Sequence, residues 1–197
     1  SIIFPTETFL GYTAHPWEPS HKDAIGKEGS TKTGYWIKKW ANETDRTNYS
    51  STDGGKLDFQ NMRYAVVLLN YVEAAIELNQ LSDPNIYDYL DDIRDRAGMP
   101  PVDRTKYATQ TKLRELVRRE RRVELAFEGH HYYHDIRRWK IAEKVMTDAH
   151  GLDVSKLQYY PSSGATSPYW QYEEIVIDKR SFNKDRDYLW PIPLKEL

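Results

Sequence analysis

The sequence predicts a mainly α-helical protein of helical hairpins, with extensive irregular loops and a few short strands. Three observations carry this. Helical periodicity is sustained only between residues 58 and 147, where apolar residues recur at spacings of three and four. That stretch is divided by helix punctuation, most clearly Asp83-Pro84 at one start and Gly98 followed by Pro100-Pro101 at one stop. The flanks differ in kind: residues 1–57 hold six of the ten glycines, three prolines and eight aromatics, with no helical period.

In chain order, residues 1–57 read as loop and short strand. Lys32–Trp40 alternates weakly and sets Trp36, Lys38 and Trp40 on one face. A first helix, about Phe59 to Asn79, carries Met62, Ala65, Leu69, Val72 and Ile76 on one stripe and Val67, Leu68, Tyr71 and Ala75 elsewhere. It is apolar nearly all round and is expected to be central. The second takes Asp83 as N-cap and Pro84 as its first residue, buries Ile86, Leu90, Ile93 and Ala97, and stops at Gly98. A third ends at Gly129, and a fourth runs from about His131 to Met146. The helices pair into two hairpins of tetratricopeptide type, residues 58–98 and 109–147, although no repeat consensus is legible. Residues 148–197 return to loop, with a strand expected at Tyr172–Asp178 and an end stiffened by Pro191 and Pro193. All of this fits one domain of 197 residues.

The third helix conflicts with its own pattern. Leu113, Leu116, Glu120, Val123 and Phe127 fall on the stripe that should face a core, so a carboxylate sits within an apolar seam. Glu124 and Glu128 follow at i+4 and i+8, and like charges at that spacing repel. A carboxylate on a buried seam needs a charged, hydrogen-bonding partner, and the planar fork of arginine suits it best. Arg137 and Arg138 on the next helix, and Arg63 further back, are the candidates. A structural ion network of Glu120, Glu124, Arg137 and Arg138 is expected to lock helix to helix.

The same residues carry a resemblance. RRERRVELAFEGHHYYHDIRRW resembles the signature of the SusD/RagB family of outer-membrane nutrient-binding lipoproteins, in which an ERR-x-EL-x-FEG run leads into D-x-RRW. MRYAVVLLNYVEAAIEL (Met62 to Leu78) is similar to the family's RYAEVLLNYAEA helix, and YLWPIPLKEL (Tyr188 to Leu197) to its C-terminal ending, with IRDRAGMP (Ile93 to Pro100) between them. Residues 62–197 carry the match, and GYWIKKW (Gly34 to Trp40) extends it loosely. The chain departs from the pattern at Val67 or, depending on register, Val66, where the family often has Glu, and at His131, where Arg is common. Family members are longer and begin with a lipidated cysteine, so the resemblance implies the C-terminal portion of such a protein, partnered by its N-terminal half.

Composition excludes several classes. With 28 basic and 30 acidic residues the net charge is −2, so no strong field favours nucleic acid, and acids interleave the arginine run. Without cysteine there is neither a disulfide nor a thiolate metal site. His130, His131, His134 and Asp135 invite a metal reading, and Glu128-x-x-His131 imitates half of a di-iron motif. No second Glu-x-x-His exists, so no metal and no cofactor is expected. No phosphate loop, zinc-protease motif or nucleophile elbow is present, and no catalytic residue is assigned.

Loop aromatics are the functional signal. The chain has 15 Tyr and 6 Trp. Trp17, Trp36, Trp40 and Trp170 lie among Gly, Pro, Ser and Asn rather than on helix stripes, where flat rings can stack on the apolar faces of sugars. They are the glycan-binding candidates, against the simpler reading that they pack loops onto the helices. Trp139 and Trp190, inside signature motifs, read as core. The resemblance implies a non-catalytic, outward-facing outer-membrane subunit that captures glycan or another nutrient and delivers it to a TonB-dependent transporter of the SusC type. The competing reading is a helical-repeat protein-interaction module with no direct glycan binding.

Overall fold

The computed structural model describes residues 2–3, 8–9, 12–13, 15, 20–37, 39–40, 60–153, 173–190 and 194–196. Two compact units emerge, one of residues 59–140 and one of residues 1–58 with 141–197. The first is helical, and the described residues of the second form turns, short strands and short helical turns.

The helical unit contains α1 (Tyr64–Glu77), α2 (Asn85–Arg96), α3 (Gln110–Glu124) and α4 (His131–Arg138). Local chemistry sets their ends. Asp83 Oδ1 accepts the Asn85 amide at 3.0 Å, and Pro84 already has helical φ and ψ, so Asp83 caps α2 and Pro84 opens it. At the other end Gly98 has φ +68°, and the Met99 amide reaches back to the Arg94 carbonyl at 2.9 Å. Only a residue without a Cβ enters that left-handed region at no cost. Thr109 Oγ1 caps α3 by accepting the Lys112 amide at 3.4 Å.

The core of this unit is shared by three helices. Leu69, Val72 and Ile76 of α1 meet Ile86 and Leu90 of α2 and Leu113, Leu116 and Val117 of α3, all of them fully buried. Helix α1 therefore lies against both α2 and α3, as its apolar composition requires. The second hairpin is made differently. Helix α4 contributes one buried apolar side chain, Ile136, which lies outside the main cluster, and it is joined to α3 and α1 chiefly through charged groups.

Several expectations need correction. Helix α3 ends at Glu124, not Gly129, because Leu125 caps it and Phe127 takes φ +62°, turning the chain away. Its buried face is Leu113, Leu116, Val117 and Arg121, rotated from the expected seam, so Val123 (68% exposed) and Phe127 (51%) point outward. The fourth helix breaks at Lys140, φ +53°, into α4 and a single turn, α5 (Ala142–Val145). Met62 precedes α1 and is exposed, as is Trp190. Finally, α1 is central only on one side. Tyr64, Val67, Tyr71 and Leu78 stand exposed at intervals of three, four and seven, a second apolar stripe along the helix.

In the other unit, β1 (Ile2–Ile3) pairs antiparallel with β4 (Trp36–Ile37), and β2 (Thr8–Phe9) with β3 (Tyr12–Thr13). Residues 20–35 form a run of turns organised around buried Asp23, whose carboxylate accepts the His15 amide at 3.1 Å. The expected strand at residues 172–178 is β6 (Glu173–Asp178), and it pairs antiparallel with β5 (Ala149–Asp153), which the sequence did not announce. Gly34 (φ +74°) lies so close to the Leu152 carbonyl that no Cβ fits there, and the Leu152 amide donates to the Thr33 carbonyl at 2.9 Å. Tyr188 accepts the Ala142 amide and donates to the Glu143 carboxylate, tying the tail to α5. Pro191 and Pro193 lie outside the described residues.

Candidate functional site

The signature residues converge on two clusters of arginine and carboxylate. In the first, Arg63, just before α1, grips Glu128 with Nε at 3.0 and 2.9 Å and Nη2 at 2.6 Å, and its Nη1 lies 2.9 Å from Glu124 Oε1. Arg96 of α2 reaches Glu124 from the other side at 2.6 Å, and Arg94 binds Glu120 at 2.7 Å. Glu120 and Glu124 on α3, and Glu128 beyond its end, are thus each held by an arginine from elsewhere. Glu120 meets Arg94, not Arg63, Arg137 or Arg138. Arg94 lies in the last turn of α2, and the Gly98 reversal lets its Nε also hold the Pro100 carbonyl at 2.7 Å, which aims the guanidinium at α3.

The second cluster joins α1, α3 and α4. Glu73, 7% exposed, receives Arg138 Nη1 and Nη2 at 2.5 and 2.6 Å and the Trp139 indole Nε1 at 2.6 Å. Buried Asp135 accepts Arg138 Nε at 2.8 Å and Arg121 Nε at 3.1 Å, while Arg121 Nη1 donates to Asn70 Oδ1 at 2.7 Å. Burial pushes the Glu73 carboxyl up, but the Arg138 and Trp139 hydrogen bonds and the Arg121 charge outweigh it and hold the group below the ordinary carboxyl value. Arg138 is correspondingly raised, mostly by its bonds to Glu73. Arginines also stack on aromatics across α3 and α4: Arg122 on Tyr132 at 4.8 Å, Arg137 on Tyr133 at 4.3 Å, and both Arg118 and Arg138 on Trp139 at 4.7 and 4.8 Å. A cavity of about 350 Å³ opens beside this cluster, lined by Asn70, Glu73, Ala74, Glu77, Arg121 and Arg138.

Of the expected network, Glu120 and Glu124 belong to the first cluster and Arg138 to the second, while Arg137 lies over Tyr133. Sequence reasoning missed Glu73 and Asn70, and weighed Asp135 only as a metal ligand. The signal for Glu73 was present: it is a carboxylate next to Val72 on a mostly apolar helix, which needs a cation as Glu120 does.

The loop tryptophans are less gathered. Trp17 and Trp170 lie outside the described residues. Trp36 is placed as a backbone position of β4, opposite Ile3. Trp40 is 41% exposed, with φ +72° and Lys39 Nζ 6.0 Å from its ring centroid. For a metal, the histidines offer little: His130 and His134 face each other edge to face at 6.5 Å, and Asp135 is engaged by two arginines. Among the described residues no three His, Asp or Glu side chains gather as metal ligands. Among them, too, no helix is long and apolar enough to cross a membrane.

Fold and clusters together define a mainly helical protein with tetratricopeptide-like hairpins, built on an apolar core shared by α1, α2 and α3 and cross-linked by arginine–carboxylate pairs. The chain belongs to the SusD family, whose family model matches residues 2–197. It is similar to SusD-like protein P2 of Formosa agariphila, 31% identical over 141 residues, which are 69% of this chain and 23% of that protein. Among solved structures it resembles a SusD-like protein of Bacteroides fragilis with a TM-score of 0.76 and 30% identity, covering 100% of this chain and 35% of that one. A SusD-like carbohydrate-binding protein of the same organism matches with a TM-score of 0.75 and 33% identity, over 99% of this chain and 38% of that one. The chain thus spans well under half the length of these relatives.

Proposed function

We propose that this chain is part of a surface glycan-binding subunit that captures an oligosaccharide without altering it. The observation that carries the reading is family membership across residues 2–197, together with a 33% identical relative described as carbohydrate binding. Its finer form is that the ligand passes to a TonB-dependent transporter of the SusC type from an outward-facing, lipid-anchored position at a bacterial outer membrane. Trp17, Trp36, Trp40 and Trp170 are the proposed sugar platform, because an aromatic face binds the apolar face of a sugar while hydroxyls stay hydrated. Titrating neutral and acidic oligosaccharides against tryptophan fluorescence tests it. Saturable quenching is expected, and an unchanged spectrum with every oligosaccharide in a broad panel overturns it.

One observation favours a second reading, a protein-interaction module. The exposed stripe of Tyr64, Val67, Tyr71 and Leu78 on α1 is an apolar surface suited to a partner helix. The two readings are compatible if the partner is the N-terminal half of the same protein.

A further inference from the structure

Among the described residues around Trp139 the arginines outnumber the acids. Four guanidiniums, Arg114, Arg118, Arg121 and Arg138, share three carboxylates, Glu73, Glu77 and Asp135. Arg114 grips Glu77 at 2.6 and 2.7 Å, Arg138 grips Glu73 at 2.5 and 2.6 Å, and Arg121 and Arg138 divide Asp135. Arg118 is left over. It lies on the Trp139 ring at 4.7 Å, its Nε is buried with no hydrogen-bond partner, and among the described residues it meets no carboxylate. Its terminal nitrogens are not among the buried unpaired atoms, and the residue as a whole is half-buried.

A half-buried guanidinium that meets no carboxylate among the described residues and lies on a flat aromatic floor matches one kind of guest, a planar or tetrahedral oxyanion bound at two points. Glu77 and Glu73 are near enough to act on Arg118 through space, but each is already neutralised by a two-point arginine grip, and Arg114 and Arg138 add positive charge beside the site. We propose that Arg118 on Trp139 is an anion-binding site that takes a single carboxylate or sulfate group of an acidic sugar. The site itself stands on the geometry. Only the word sugar rests on the glycan reading above.

The test uses the whole chain, titrated at constant ionic strength with sodium glucuronate, a sulfated galactose and neutral galactose. Nitrogen–proton correlation spectra follow the Arg118 Nε–Hε and Trp139 indole signals. Saturable shifts of both signals with at least one of the two anionic sugars, and none with galactose, are expected. Which anion acts distinguishes a carboxylate from a sulfate ester. Arg118→Gln should weaken the Trp139 response at least tenfold with an unchanged denaturation midpoint, and Arg118→Lys should fall between, because it keeps the charge but loses the fork. No shift with either anion, equal shifts with galactose, or an undiminished response in Arg118→Gln overturns the proposal. If neutral oligosaccharides still quench tryptophan in that event, the glycan reading survives and only the anion site falls.

Discussion

Replacing Glu73 by alanine removes the carboxylate on which α1, α3 and α4 converge. It strips acceptors from Arg138 Nη1, Arg138 Nη2 and Trp139 Nε1 at one stroke and leaves Arg121 with Asp135 and Asn70. Breaking a buried pair by deleting one partner costs ~3–5 kcal/mol, because the survivor is left uncompensated. The survivor here sets the place in that range. The Arg138 side chain is 45% exposed and can turn partly to water, whereas Arg121 is 5% exposed and cannot. The expected loss is therefore about 3 kcal/mol, the lower end. For a chain of this size that lowers the melting temperature by about 6–12 °C. Urea denaturation measures it, with Glu73→Gln keeping the shape while losing the charge. Alanine at Glu73 and Arg138 together should cost less than the two single losses added. A Glu73→Ala loss below about 0.5 kcal/mol, the size of an ordinary surface substitution, would refute the idea that this cluster holds α4 in place. The same carboxyl gives a pH signature. It is held below its ordinary value of 4.5 in the folded chain, so on acidification the unfolded state takes up the proton first. Its contribution is complete above about pH 4.5 and is lost as pH falls through the lowered folded value. Glu73→Gln should flatten that part of the acid limb.

Four further outcomes are expected. Glu120→Ala should cost about 3 kcal/mol, since Glu120 and Arg94 are 12% and 13% exposed, and a change of only a few tenths in a denaturation curve would mean the α2–α3 bond is idle. Alanine at one or more of Trp17, Trp36, Trp40 and Trp170 should weaken oligosaccharide binding by calorimetry without lowering stability, and four variants with intact affinity would make these rings packing residues. The isolated chain should self-associate in light scattering through Tyr64, Val67, Tyr71 and Leu78, and Val67→Glu with Leu78→Glu should restore the monomer. A wild-type monomer that binds no apolar dye would show the stripe to be inert. Gly34→Ala should destabilise by more than about 1 kcal/mol, because it adds left-handed strain to a clash with the Leu152 carbonyl, and a neutral result in thermal melts would contradict that contact.

The helices were legible because their signals are local. Asp83, Pro84 and Gly98 act on their own backbone within a turn, and the apolar stripes of α1 and α2 recur at helical spacing whatever surrounds them. The need for an arginine opposite Glu120 was equally legible, since burying a carboxylate costs energy in any fold. The family followed from the order of motifs along residues 62–197. Which arginine answered was not legible. Arg94, Arg96 and Arg63 reach α3 only because α1 and α2 pack against it, and that depends on contacts between residues 26 to 65 positions apart. The same holds for Glu73 with Arg138, for β5 with β6, and for the outward turn of Val123 and Phe127, which follows from the rotation of α3 against its neighbours. By itself the sequence determined that helices form, where α2 begins and ends, and which charges need partners. Only the tertiary structure decided the pairing, left Arg118 as the surplus cation, and exposed the second stripe of α1. Those outcomes depend on distances between elements, and spacing along a chain carries no information about distance across it.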